Sequence, residues 1–440
     1  VRIVRRLLLG LFLFLLVALV AGYWWQRPLL LTGTGYAAHN ACALETIAGR
    51  DDPEDDLPPN PLVPVLRTAT TDDGAVQGSI LGLLARQRAF ATDGFGCTLA
   101  DEAPELPDPL AVTTTNPYAD VPEPTPAPDT EAAVARAFGD DLDAGAREEL
   151  GTRAVLVMQD GELVAERYAE GFDATTPQLG WSMSKSVTSL VVGRLVAEGE
   201  VSLDDDDLRP EWRGDERSTI TVRDLLSMTS GLAWDETYDL GTPITRMLYL
   251  EPDMGDYVAS QELAHQPGTH LQYSSGSTTL LCDILGERTG LGANLPRETV
   301  FAPLGMSSAV LEPDASGTPV CSSYLWATPR DWAAIGQLAL QDGEWEGEEL
   351  LPEGWMAETT TAVDAGGERE GYAAGWWANE LPDGTLVEPT LPADAYFAEG
   401  HDGQWIVVVP SEDLVVVRLG FTPVAEDDRV VQLAADLIGG

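Results

Sequence analysis

Lysine is almost absent from this chain. Lys and Arg together number 25 in 440 residues, and Lys185 is the one lysine, so the other 24 are arginine. Positive charge of either kind is scarce beside 72 Asp and Glu, and the formal net charge is -47. The acid is spread along the chain and not gathered in a tail. Nucleic-acid binding is thereby excluded, because phosphate contacts need a basic surface. Such a surface stays soluble and repels anionic lipid. It reads as compositional drift or adaptation to high salt, with recognition of a cationic partner as the alternative. Cysteine is sparse too. Cys42, Cys97, Cys282 and Cys321 contain no C-x-x-C pair, so neither a zinc nor a redox signature is present. An even count suits disulfides in an exported chain, with three possible connectivities. The nearest grouping is Cys42 with Cys97 and Cys282 with Cys321; free buried thiols are the other reading. The run of four aspartates at 204–207 lacks the alternating ligands of a calcium loop and reads as a solvated turn. No metal and no organic cofactor is expected.

What the chain does have begins with "VRIVRRLLLGLFLFLLVALVAGYWWQRP". Arg2, Arg5 and Arg6 precede an apolar run from Leu7 to about Gly22, and Tyr23, Trp24 and Trp25 follow like an interfacial aromatic belt. The run with its aromatics approaches the roughly 20 residues needed to cross a bilayer. The basic flank stays in the cytoplasm, which puts the rest outside. A cleaved signal would end in a small-residue site, for which "LVAG" is a weak match. Residues 1–26 are therefore expected to be an uncleaved anchor, with a signal segment as the alternative. Residues 27–100 form a small leader region carrying the first two cysteines. Residues 101–130 are rich in proline, acid and threonine and read as an extended linker. Hydrophobic content of 44% with 12 Trp supports a sizeable core, which residues 131–440 should build.

Within that domain, "RAVLVMQDGELVAERYA" predicts two strands around an Asp160-Gly161 turn. In "GWSMSKSVTSLVVG", Met183, Val187, Leu190, Val191 and Leu195 keep helical spacing, and Gly199 is a stop. That helix is apolar on most of its circumference and should be buried. "TVRDLLSMTSG" predicts a helix capped by Thr221 and Asp224 and ended by Gly231. "TPRDWAAIGQLALQDG" predicts another, with Thr328 as cap and Pro329 in its first turn. "QWIVVV" and "LVVVRLGF" read as strands around residues 410–413, and a closing helix spans about 427–437. Strands at both ends with helices between them predict an α+β fold whose antiparallel sheet joins N- and C-terminal strands.

The lone lysine explains itself in this frame. With Ser182 at the helix entrance, Lys185 lies one turn along the same face, within reach of the hydroxyl. Free N–H groups at the helix start favour a developing oxyanion. A serine hydroxyl is a poor nucleophile until a base takes its proton. A buried lysine can lose its own proton and serve as that base; arginine cannot. Ser184 and Ser186 are neighbours without this spacing.

"SMSKSVTS" resembles the nucleophile motif of the serine β-lactamase and penicillin-recognising superfamily. Within it, the chain is similar to class C β-lactamase-like serine hydrolases, which include esterases, D-amino-acid peptidases and nylon-oligomer hydrolases. "LLSMTSGL", "PGTHLQYSSG", "YLWATPRDWAAIGQLALQDGEW", "LLPEGW" and "GHDGQ" follow in the family's order over roughly residues 131–440. The leader, with "NACALE" and "GFGCTLA", looks like the region preceding the domain in some exported members. The resemblance implies a β-lactamase/transpeptidase-like fold, with the active site between the sheet and a mostly helical subdomain. It makes Tyr273 of "YSS" a proton relay beside Ser182 and Lys185. His401-Asp402-Gly403 stands where the family usually has Lys-Thr-Gly, and Ser275 stands for the usual Asn, which argues against true β-lactamase activity. The backbone N–H groups of Ser182 and Gln404 would form the oxyanion hole. His401 would orient a substrate carboxylate or hold the strand, and Gly403 would allow close approach. Glu236 and Tyr238 resemble loop residues that meet substrate, and the resemblance puts Ser275 among the substrate-binding residues as well. Trp181, Trp376 and Trp377 line an acyl pocket or pack in the core.

The expected function is an exported serine hydrolase acting on a small ester or amide through an acyl-enzyme. The alternative is a non-catalytic cell-surface sensor that binds penicillin or peptidoglycan. A Ser-His-Asp hydrolase using His401 leaves the lone lysine unexplained, and "GWSMS" lacks the closing glycine of G-x-S-x-G.

Overall fold

The computed structural model describes residues 2–50, 56–58, 60–367, 371–423 and 429–439. Helix α1 (Arg2–Thr46) opens the chain. It is followed by a four-stranded antiparallel sheet: β1 (Leu66–Thr70), β2 (Val76–Ile80), β3 (Leu84–Thr92) and β4 (Gly96–Leu99). Next come α2 (Pro128–Ala137), β5 (Thr152–Gln159), β6 (Glu162–Tyr168), α3 (Met183–Ala197), α4 (Ser275–Thr289) and α5 (Pro329–Leu340). The chain closes with β7 (Trp377–Ala378), β8 (Tyr396–Gly400), β9 (Gln404–Val409), β10 (Leu414–Gly420) and α6 (Arg429–Ile438).

The main sheet runs β7-β8-β9-β10-β5-β6, antiparallel throughout. As expected, the first strand of the domain pairs with the last. Successive side chains point to opposite faces. Val155, Val157, Val407 and Val416 meet α2 and α6 on one side, and Leu156, Met158, Ile406 and Val415 meet the main core on the other. Both faces are covered, so these strands read as unbroken apolar runs. The α+β expectation holds, and α3 is buried along nearly its whole length.

The caps at Thr221 with Asp224 and at Thr328 are present. The helix expected to reach Gly231 covers only Val222–Leu226. Met228, at φ 61°, turns the chain out of it first. The expected start of the closing helix, Asp427, lies outside the described residues. Of residues 101–130, read as a linker, 128–130 already belong to α2, and the rest carries no helix or strand but is fastened to the domain. Asn116 bonds Asp331, and Arg330 donates to the carbonyls of Tyr118, Ala119 and Val121.

The anchor-leader boundary at residue 26 does not interrupt the helix. The apolar first half of α1 projects from the rest, whereas residues 32–44 are almost wholly buried against the β1–β4 sheet and the domain. Gly78 of β2 lies directly on the Thr34 carbonyl, where no Cβ would fit. The leader is bound to the domain through Glu312, which is fully buried. Glu312 accepts from the Cys97 N–H (2.7 Å) and the Trp326 indole (2.9 Å) and lies 3.2 Å from His39 Nε2. Disulfides join Cys42 to Cys97 and Cys282 to Cys321.

One buried acid gives a stability signature. Asp314 accepts from the Met254 N–H (2.7 Å), the Thr318 N–H (3.0 Å) and the Ser316 hydroxyl (2.6 Å), and burial pushes its carboxyl up to about 6. A raised carboxyl contributes stability that is complete below its unfolded value, 3.8, and lost as pH rises through about 6. Asp314→Asn removes that dependence. The unfolding free energy of the variant relative to the parent should improve by ~3 kcal/mol between about pH 4 and pH 7. Denaturant melts measure it, and a pH-independent difference contradicts this origin.

Candidate active site

Gly180 packs its Cα against the Trp332 ring, leaving no room for a side chain. Trp181 follows in the left-handed region at φ 47°, an unfavourable conformation for a bulky residue. It is held there by the Ser184 hydroxyl, which donates to the Trp181 carbonyl at 2.6 Å. This turn delivers Ser182 to the N-cap of α3. Ser184 and Ser186, the neighbouring hydroxyls, are buried and committed to backbone carbonyls, Ser186 to that of Gly375 at 2.6 Å. Ser182 alone of the three is partly open to solvent.

Lys185 is 1% exposed. Its Nζ lies 2.9 Å from Ser182 Oγ, 2.9 Å from Ser275 Oγ and 3.0 Å from the Ser322 carbonyl. The Tyr273 ring centroid is 4.8 Å from the same nitrogen. Ser275 donates its own proton to Glu236 Oε1 at 2.5 Å, so it faces Lys185 as an acceptor. Ser322 O is an acceptor by nature. Lys185 Nζ thus donates to three oxygens at once, those of Ser182, Ser275 and Ser322.

Each part of this arrangement has a visible support. Ser275 opens α4, and Cys282 of that helix is bonded to Cys321, the neighbour of Ser322. The disulfide thus fixes the two acceptors relative to each other. Thr188 of α3 donates to the Cys321 carbonyl at 3.1 Å, bringing the lysine-bearing helix to the same point. Gly400 at the end of β8 abuts the Gly180 carbonyl, so the sheet reaches the mouth of the nucleophile turn.

The remaining expected residues fall into three places. Tyr238 and His401 stand at the rim, with ring centroids 4.9 Å apart, and His401 Nδ1 lies 2.7 Å from the buried Asp402. Trp377 stacks on Tyr273 at 5.5 Å, whereas Trp376 is core. Ser275 and Glu236, expected to touch substrate, face inward instead. Ser275 is fully buried, and Glu236 also accepts from the Ser275 N–H (2.9 Å) and the Trp234 indole (2.6 Å). Gly403, expected to give a substrate room, has its open side filled by the Arg418 guanidinium. Gln404 begins β9, and its side chain bonds Gly420 on the neighbouring strand. Asp205 bonds the Ser202 N–H and Arg288.

Sequence reasoning missed the contribution of α1. Tyr36 stacks on Trp181 at 6.4 Å and meets Tyr249 edge-on at 5.2 Å, and His39 stacks on Tyr324 at 4.2 Å. The leader therefore supplies an aromatic wall beside the nucleophile turn. The only signal for it was "GYAAHNACA", a polar helix segment with small residues spaced for close packing.

A serine at the head of a buried helix, with an amine three residues on and an antiparallel sheet alongside, defines an active-site serine hydrolase. The chain belongs to the β-lactamase family, whose model matches residues 134–438. It is 27% identical over 300 residues to the 6-aminohexanoate-dimer hydrolase of Paenarthrobacter ureafaciens, spanning 63% of this chain and 74% of that one. It is 32% identical over 190 residues to a D-aminopeptidase of Brucella canis, spanning 40% of this chain and only 36% of that protein. Among solved structures, a family VIII carboxylesterase shares the fold with a TM-score of 0.56 at 18% identity, over 72% of this chain and 99% of that one.

Tyr36→Ala should open space beside Trp181. The kcat/KM for a nitrophenyl octanoate relative to the acetate should then rise several-fold in the full chain. An unchanged ratio would show that α1 does not bound the acyl site.

Proposed function

We propose that the protein hydrolyses a small ester or amide through an acyl-enzyme on Ser182. The observation that carries this reading is the 2.9 Å approach of the only lysine nitrogen to Ser182 Oγ. Neutral Lys185 takes the hydroxyl proton as Ser182 Oγ bonds to the substrate carbonyl carbon. The backbone N–H groups of Ser182 and Gln404 receive the oxyanion. Tyr273 passes the proton to the leaving alcohol or amine as its bond to the carbonyl carbon breaks. Water then attacks the acyl-enzyme and gives its proton to the Tyr273–Lys185 pair. The Ser182 oxygen regains a proton as the acid departs.

Ester and amide substrates are both supported by the relatives, which are named as an amide-dimer hydrolase, an aminopeptidase and a carboxylesterase. His401, fixed through Nδ1 by Asp402 at the rim, suits a substrate with a carboxylate near the scissile bond. The apolar start of α1 and the two disulfides support an extracytoplasmic domain held to the membrane by an uncleaved helix.

Fluorophosphonate labelling, a panel of nitrophenyl esters, D-alanyl peptides and aminohexanoate dimers, and the variants Ser182→Ala and Lys185→Arg test this directly. Labelling and turnover should both vanish in Ser182→Ala, and turnover should fall at least ~10³-fold in Lys185→Arg. A permanent adduct with no turnover on any substrate would favour a binding sensor.

Glu236→Gln gives a pH test. The Glu236 carboxylate stands one hydroxyl, that of Ser275, away from the Lys185 nitrogen, and removing a nearby negative charge makes an ammonium easier to deprotonate. The acidic limb of the kcat/KM profile should move to lower pH. A limb that stays in place would separate Glu236 from the amine.

A further inference from the structure

We propose that the hairpin turn at residues 81–84 inserts into the bilayer interface beside α1, seating the leader on the membrane rather than leaving it on a tether. This rests on the reading of α1 as an uncleaved anchor.

Outside α1, six large apolar residues are exposed among the described residues, and three of them are Leu81, Leu83 and Leu84. They are 60%, 72% and 44% exposed and belong to one turn. Leu83 N–H donates to the Ile80 carbonyl at 3.1 Å, with Leu81 at φ 51° and Gly82 at φ 77°. Residues 81–83 link the paired Ile80 and Leu84, and the left-handed pair at the centre of the turn favours Asn, Asp or Gly. Leucine at Leu81 is thus unfavourable twice, by backbone and by exposure to water, and burial in lipid relieves the second.

The turn also stands at the right level of the helix. The Tyr23 hydroxyl accepts from the Ala85 N–H at 3.1 Å, which fixes the hairpin against the aromatic belt of α1. Trp24 and Trp25 beside it are 62% and 83% exposed. Indole and phenol groups favour the headgroup boundary, so the leucines that share their level face acyl chains.

Charge agrees. Residues 2–44 contain no Asp or Glu, and neither do residues 74–92, in a chain with 72 of them. Arg27, Arg67 and Arg86 surround this end, and none has a carboxylate partner among the described residues. The acidic bulk of the protein is held away while a basic collar meets lipid phosphate. The shared chemistry is that of an amphiphilic interface, apolar leucines ringed by arginine.

The test uses the full chain in phosphatidylcholine/phosphatidylglycerol vesicles that contain a shallow nitroxide lipid. An environment-sensitive fluorophore is attached at Leu83→Cys, at Trp25→Cys for the span, and at Asp72→Cys on the opposite turn of the leader sheet. Labels at 83 and 25 should emit blue-shifted and lose most of their intensity to the nitroxide, and the label at 72 should do neither. Quenching at 25 without quenching at 83 overturns the proposal and leaves the anchor intact. A blue shift at 83 without quenching assigns the turn to a second copy and overturns it equally. Quenching at 72 as well removes the specific role of the hairpin. No quenching at 25 removes the anchor, and the seat with it.

Discussion

The structure depends on an amine kept out of water within hydrogen-bonding distance of one hydroxyl. Burying an amine is costly unless its polar hydrogens find partners. Here the compensation comes from a serine whose proton is already given to Glu236 and from a backbone carbonyl fixed by a disulfide. These partners make sense of features that otherwise look incidental. The second disulfide joins the segments that carry the two acceptors, and Ser275 links Lys185 to Glu236. Ser184, Ser186 and Thr188 of the same helix are bonded to backbone carbonyls and do not compete.

The second constraint is the continuity of α1. One helix carries an apolar run with its aromatic belt and then a buried segment that reaches the nucleophile turn. From Tyr23 to Tyr36 the rise is about 20 Å. The leader is an integral layer of the fold, fastened by Glu312, by the Cys42–Cys97 bond and by the stack of Tyr36 on Trp181. The apolar run and the wall beside Trp181 thus belong to one continuous helix packed on the hydrolase domain.

Much of this was legible in the sequence, and the rest has physical reasons for being hidden. The hairpin at Asp160-Gly161, the apolar strands, the capped helices and the S-x-x-K spacing are local signals, written in periodicity and turn chemistry. The cysteine grouping matched because sequence neighbours proved to be spatial neighbours. The contacts of Ser275, Glu236 and Gly403 inside the fold were hidden because side-chain direction depends on tertiary packing. Ser275 faces a lysine ninety residues away, and Gly403 is needed by an arginine on the next strand. The helix after Thr221 stopped early because Met228 adopts a positive φ that no local propensity announces. Tyr36 could not be found from pattern, since an aromatic on a partly polar helix acquires meaning only from what it packs against.

The single lysine makes the central claim directly measurable. Growth on ¹⁵N-lysine labels one side chain, and its Nζ resonance can be followed by NMR across pH in the active protein. The account predicts that this nitrogen loses its proton with the same midpoint as the acidic limb of the kcat/KM profile. An Nζ that remains ammonium throughout the pH range of full activity would contradict it.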